Sequence, residues 1–75
     1  MSTATIVTSA AHALKRSYYA ALRRLSVEGT DGSIIISGNV SSYYMKQLAQ
    51  EAVMPVRGSL TLVNRVTVER VFAQN

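Results

Sequence analysis

The sequence predicts an α+β domain of order α-β-β-α-β, a two-layer sandwich whose three-stranded mixed sheet carries both helices on one face. Two apolar patterns of helical period flank a region of strand-like alternation, and a second alternating run closes the chain. Between the first two strand-like runs, Gly29-Thr30-Asp31-Gly32 supplies the glycines and the aspartate that a hairpin turn requires. With 75 residues the chain is read as a single domain over 1–75, too small to wall off a deep active-site cavity.

The first helix is expected from about Thr5 to Tyr19. Val7, Ala10, Ala11, Leu14 and Tyr18 recur at three- and four-residue steps and form its apolar stripe, while His12, Lys15, Arg16 and Tyr19 fall on the other side. Thr3, Thr5 and Thr8 are its candidate N-caps. From Leu22 to Glu28 the pattern alternates, placing Leu25 and Val27 on one face of a half-buried strand. The second strand, Ser33 to Val40, directs Ile34, Ile36 and Val40 one way and Ile35 the other; three consecutive β-branched residues strongly favour extended backbone.

Ser41 or Ser42 then caps a helix reaching Met54, with Met45, Leu48, Ala49, Ala52 and Val56 as its stripe and with Pro55 and Gly58 closing it. The last strand is expected from Ser59 to about Val71. Leu60, Leu62, Asn64, Val66 and Val68 share its buried side. The helix linking two parallel strands is expected to cross over right-handedly, leaving the far face of the sheet open.

Charge is distributed unevenly. The net charge of +4 resides in the N-terminal third, where Lys15, Arg16, Arg23 and Arg24 meet no acid before Glu28. An anionic partner is therefore expected to approach the first helix and the chain just after it. The N-terminus has no cation ahead of its apolar stretch, which is unlike a secretory leader, and no apolar run is long enough to span a bilayer. A complete chain would on this reading be cytoplasmic or peripheral to a membrane, and a fragment of an exported protein would belong to the envelope.

Catalytic constellations are missing from the sequence. One histidine, His12, and one aspartate, Asp31, supply neither a nucleophile context nor metal-ligand spacing, and the four glycines form no phosphate-binding loop. No cysteine provides a thiolate, so the domain is expected to act without catalysis, metal or cofactor. The tyrosine pairs Tyr18-Tyr19 and Tyr43-Tyr44 fall on expected helices, where packing of Tyr18 in the core and of Tyr44 beside Leu48 is favoured over base stacking; this argues against nucleic acid as the partner. The open sheet face is expected to display Arg24, Ser26, Glu28, Ile35, Thr61, Val63, Arg65, Thr67 and Glu69, with Ile35, Val63 and Arg65 central to any docking or self-association there.

The run Gly32-x-Ile34-x-Ile36-Ser37-Gly38-x-Val40-x-Ser42 resembles the "G-x-V-x-L-S-G-x-V-x-S" core of the BON domain, a bacterial module named for osmotically inducible and nodulation-related proteins. Val56-x-Gly58, followed by Leu62-x-Asn64-x-Val66-x-Val68, is similar to the second half of that pattern, with Ser59 where the family usually places Val. The likeness is strongest over 25–68. Gly32, Ser37, Gly38, Ser42, Gly58 and Asn64 carry it, and each has a structural reading: Gly38 bends the strand toward the helix, Ser42 caps that helix, Gly58 ends it, and Asn64 is a hydrogen-bonding anchor. The resemblance implies a non-catalytic binding module that associates with phospholipid membranes. Lys15, Arg16, Arg23 and Arg24 would then contact an anionic headgroup surface, with His12 or Tyr19 beside them. The alternative is a protein-interaction or self-assembly module using the open sheet face.

Overall fold

A computed structural model describes residues 2–69. Helix α1 (Thr3–Lys15) is followed by a short helix α2 (Ala20–Arg23), strands β1 (Ser26–Thr30) and β2 (Ser33–Val40), helix α3 (Tyr43–Val53) with a 3-10 turn at Met54–Val56, and strand β3 (Thr61–Val68). The sheet order is β1-β2-β3, with β2 antiparallel to β1 and parallel to β3, the mixed topology that the sequence predicts.

The first helix starts earlier and ends sooner than its apolar stripe implied. Ser2, rather than a threonine, is its N-cap, its hydroxyl accepting from the Thr5 N–H at 3.2 Å. At the other end Arg16 is the C-cap, and the Ser17 hydroxyl accepts from the Tyr19 N–H at 3.1 Å, a local turn that diverts the chain before Tyr18 can continue the helix. Tyr18 is therefore not a core residue. It is 90% exposed, and Ile6 takes a place in the core with Ala10 and Leu14.

The expected strand from Leu22 divides in two. Leu22 is buried in α2, and pairing begins only at Ser26, so Arg24 precedes the sheet rather than lying on its open face. Gly29 and Thr30 belong to β1, and the connection is the two-residue turn Asp31-Gly32, with Gly32 at φ 79°. Gly29 faces α1. A Cβ there would collide with the Thr3 side chain and lie 2.9 Å from Val7 Cγ2, so the absent side chain lets the helix settle on the strand.

Ser42 caps α3 as expected, accepting from the Met45 N–H at 3.2 Å. Regular α-helix ends at Val53, which is fully buried although the sequence stripe omitted it; the chain then tightens into the 3-10 turn containing Pro55. Gly38 lies within β2 at φ 134°, a backbone conformation that L side chains rarely adopt, and a Cβ there would come 2.7 Å from Leu25 Cδ2, so both backbone and packing require its missing side chain. Strand β3 is shorter than expected, from Thr61 to Val68, and the expected extension to Val71 lies outside the described residues.

Burial on β2 and β3 follows one parity. Ile34, Ile36, Val40, Leu60 and Val66 join Ile6, Ala10, Leu14, Leu22, Ala49 and Val53 in one core cluster, while Ile35 and Val63 are half-buried and Arg65 and Thr67 exposed.

Candidate functional site

Three surfaces of the domain carry functional side chains. The first is the junction of α1, α2 and α3. Lys15 and Arg16 occupy the exposed end of α1, and Arg23 and Arg24 the exposed end of α2. Arg23 folds back, its Nη1 donating to the Ser17 carbonyl at 2.9 Å and to the Tyr18 carbonyl at 3.0 Å, so one guanidinium braces the loop that presents Tyr18. Positive side chains at the end of α1 are also favoured by the helix dipole.

Tyrosines form the apolar part of this junction. Tyr18 packs edge-to-face on the half-buried Tyr19, with ring centroids 5.4 Å apart. Tyr44 is 63% exposed rather than packed on its own helix, and a hydrogen bond with Tyr19 raises its phenol above the ordinary value of 10.0, the nearby Tyr19 and Glu51 charges adding to the effect. A shallow groove of about 340 Å³ runs beside them, walled by Tyr18, Tyr19, Leu22, Leu48, Glu51 and Ala52. His12 is exposed on α1. The sequence reading found the cations but not the aromatic surface; the signal it passed over was Ser17 directly after Lys15-Arg16, a hydroxyl able to stop a helix just past a basic last turn.

The second surface is the open face of the sheet. Register sets Glu28, Ile35 and Val63 in one cross-strand row and Ser26, Ser37 and Arg65 in the next, so Ile35, Val63 and Arg65 are immediate neighbours, as the sequence parity implied.

The third lies between α3 and β3. Asn64 Nδ2 donates to the Lys46 carbonyl at 3.1 Å and to Gln50 Oε1 at 3.4 Å, while its Oδ1 accepts from the Val66 N–H at 3.0 Å. Asn64 is the anchor the sequence pointed to, and it ties the strand to the helix. Beside it Tyr43, Lys46, Gln47 and Gln50 line a second groove of about 290 Å³.

The remaining motif positions have structural roles here. Gly58 turns the chain at φ 60°, where a Cβ would meet Ile6 Cδ1 at 2.8 Å, and Ser37 pairs within the sheet. Among the described residues no three His, Asp or Glu side chains converge to hold a metal ion, and no helix is long and apolar enough to cross a membrane.

A family model described as the BON domain matches residues 2–70. The chain belongs to the BON domain family. The match extends beyond the motif-bearing stretch to include the first helix, so the basic junction is part of the family's domain. BON domains form a family of non-enzymatic binding modules. No curated protein matches this chain.

Proposed function

We propose that this BON domain associates peripherally with anionic phospholipid surfaces through the α1–α2 junction. The observation that supports this reading is the exposure of Lys15, Arg16, Tyr18, Arg23 and Arg24 along the consecutive segment that ends α1 and forms α2, with Arg23 bonded to the Tyr18 carbonyl. Cations near an anionic bilayer contribute about 1 kcal/mol each. Tyrosine suits the same interface, since its ring enters the headgroup boundary while its hydroxyl stays hydrated. Attachment by four charges is weak and salt-dependent, and a second copy or a neighbouring domain would strengthen it through avidity.

Co-sedimentation with neutral and anionic vesicles at low and moderate salt tests this function. Binding to anionic vesicles alone, lost as salt rises and weakened by charge removal at the four cations, is the expected result; indifference to anionic vesicles at low salt would overturn it. A second reading rests on the open sheet face. The apolar pair Ile35–Val63, flanked by Glu28 and Arg65, offers a small surface for another protein or a second copy. Loss of a partner or of self-association on substitution of Ile35 or Val63 would favour it.

A further inference from the structure

Among the described residues strand β3 leaves one edge of the sheet open, and the hydrogen bonds at its two ends set its backbone polarity. The Thr61 N–H donates to the Gly32 carbonyl at 2.9 Å and the Glu69 N–H to the Val40 carbonyl at 2.8 Å, so the odd-numbered residues of β3 address β2. Alternation then turns the N–H and C=O groups of Leu62, Asn64, Val66 and Val68 toward the free edge. Among the described residues, only the Val66 N–H of these four is engaged by a side chain, that of Asn64.

The groove beside this edge has a matching wall. Tyr43, Lys46, Gln47 and Gln50 stand at i, i+3, i+4 and i+7, a single stripe of α3, and with Asn64 they line the space alongside β3. The stripe is polar, Tyr43 is 67% exposed, and Lys46 is its one charged side chain. An open strand edge lying beside a helix is a geometry that receives an extended segment by strand addition: the edge supplies backbone hydrogen bonds, and the helix reads alternate side chains.

We propose that the β3 edge and the adjoining stripe of α3 form a docking site for an extended acidic polypeptide segment, whose carboxylates face Lys46 and whose other polar atoms meet Gln47 and Gln50. Charge complementarity selects this occupant, since Lys46 is the one charged side chain lining the groove, and the Glu51 carboxylate, outside the lining, accepts from the Gln47 amide at 3.3 Å. A second copy fits less well. Its β1 edge would present on the helix-facing side Val27 and Gly29, neither of them charged, because Glu28 has the opposite parity, and its β3 edge would bring a second Lys46 stripe toward the first. This site is separate from the lipid-facing junction and does not depend on that function.

The test is an amide chemical-shift titration of the isotopically labelled protein with an octapeptide of alternating Glu and Thr, with a Lys-Thr octapeptide as control. Saturable shifts centred on Leu62, Asn64, Val68, Lys46, Gln47 and Gln50 are expected, with slowed hydrogen exchange at the Leu62, Asn64 and Val68 amides. Lys46→Glu is expected to weaken the acidic peptide about tenfold and to transfer binding to the basic one, a charge swap that a general loss of structure would not produce. Equal binding of both peptides to the unaltered protein, shifts mapping to β1, or no saturable shift would each overturn the proposal, as would concentration-dependent pairing of β3 between copies without peptide.

Discussion

Asn64 reaches from β3 to the Lys46 carbonyl of α3 across eighteen residues of sequence, at 3.1 Å, and the same amide holds the Val66 N–H on its own strand. One side chain thus joins the two elements that its crossover connects and covers part of an otherwise open sheet edge. The asparagine of the BON pattern acquires a physical reason here. An amide both donates and accepts, and this position needs donors toward the helix and an acceptor toward the strand.

Asn64→Ala is expected to destabilise the fold by about 1–2 kcal/mol, the net worth of its two shorter hydrogen bonds at a half-buried site. Asn64→Asp is expected to do no better, since a carboxylate cannot donate to the Lys46 carbonyl. Urea denaturation monitored by circular dichroism measures both, and stability unchanged in Asn64→Ala would remove the anchoring role.

Gly29→Ala is expected to cost about 1–3 kcal/mol, because its Cβ would press on Thr3 and Val7. Gly32→Ala meets open space and bears only the positive φ, a cost of about 1 kcal/mol. Combining Gly29→Ala with Thr3→Ala removes the nearer obstruction, so the double variant should regain part of the loss. Thermal denaturation of the three proteins separates crowding from backbone strain, and equal penalties with no recovery would contradict the close approach of α1 to β1.

Tyr44 is expected to ionise above the ordinary tyrosine value when tyrosinate absorbance is followed against pH. Its folded pKa is raised, so its contribution to stability is present below about pH 10 and lost as pH climbs through the folded value. Tyr19→Phe removes the hydrogen bond that chiefly raises it, and the late ionisation should move back toward the ordinary range. A titration unchanged by Tyr19→Phe would refute the pairing.

Arg23 and Arg24 should part company on substitution. Arg23→Ala removes two charge-assisted hydrogen bonds to the Ser17 and Tyr18 carbonyls and is expected to cost about 1 kcal/mol of stability as well as vesicle affinity. Arg24→Ala is expected to stay within about 0.5 kcal/mol of the parent while still weakening vesicle binding. Denaturation midpoints alongside vesicle co-sedimentation distinguish the two, and equal stability effects would dismiss the bracing role of Arg23.

Local chemistry in the sequence determined the three strands, the two longer helices, the Asp31-Gly32 turn, the Ser42 cap and the buried parity of Asn64, because alternation, turn residues and caps act over only a few residues. The N-terminal location of the excess charge was equally legible. Tertiary structure decided what those patterns left open. The periodic stripe carried Tyr18 into the core, but a hydroxyl turn at Ser17 and a single turn of helix at Ala20–Arg23 released it to the surface, since a four-residue helix is too short to show a period. Pairing of Tyr19 with Tyr44 and of Asn64 with Lys46 joins residues 25 and 18 positions apart, and no pattern within one element records such a meeting. Packing of α3 beside β3 set the polar stripe of α3 with Asn64 along the outer strand of the described sheet, an arrangement that exists only once non-local burial has fixed the layers.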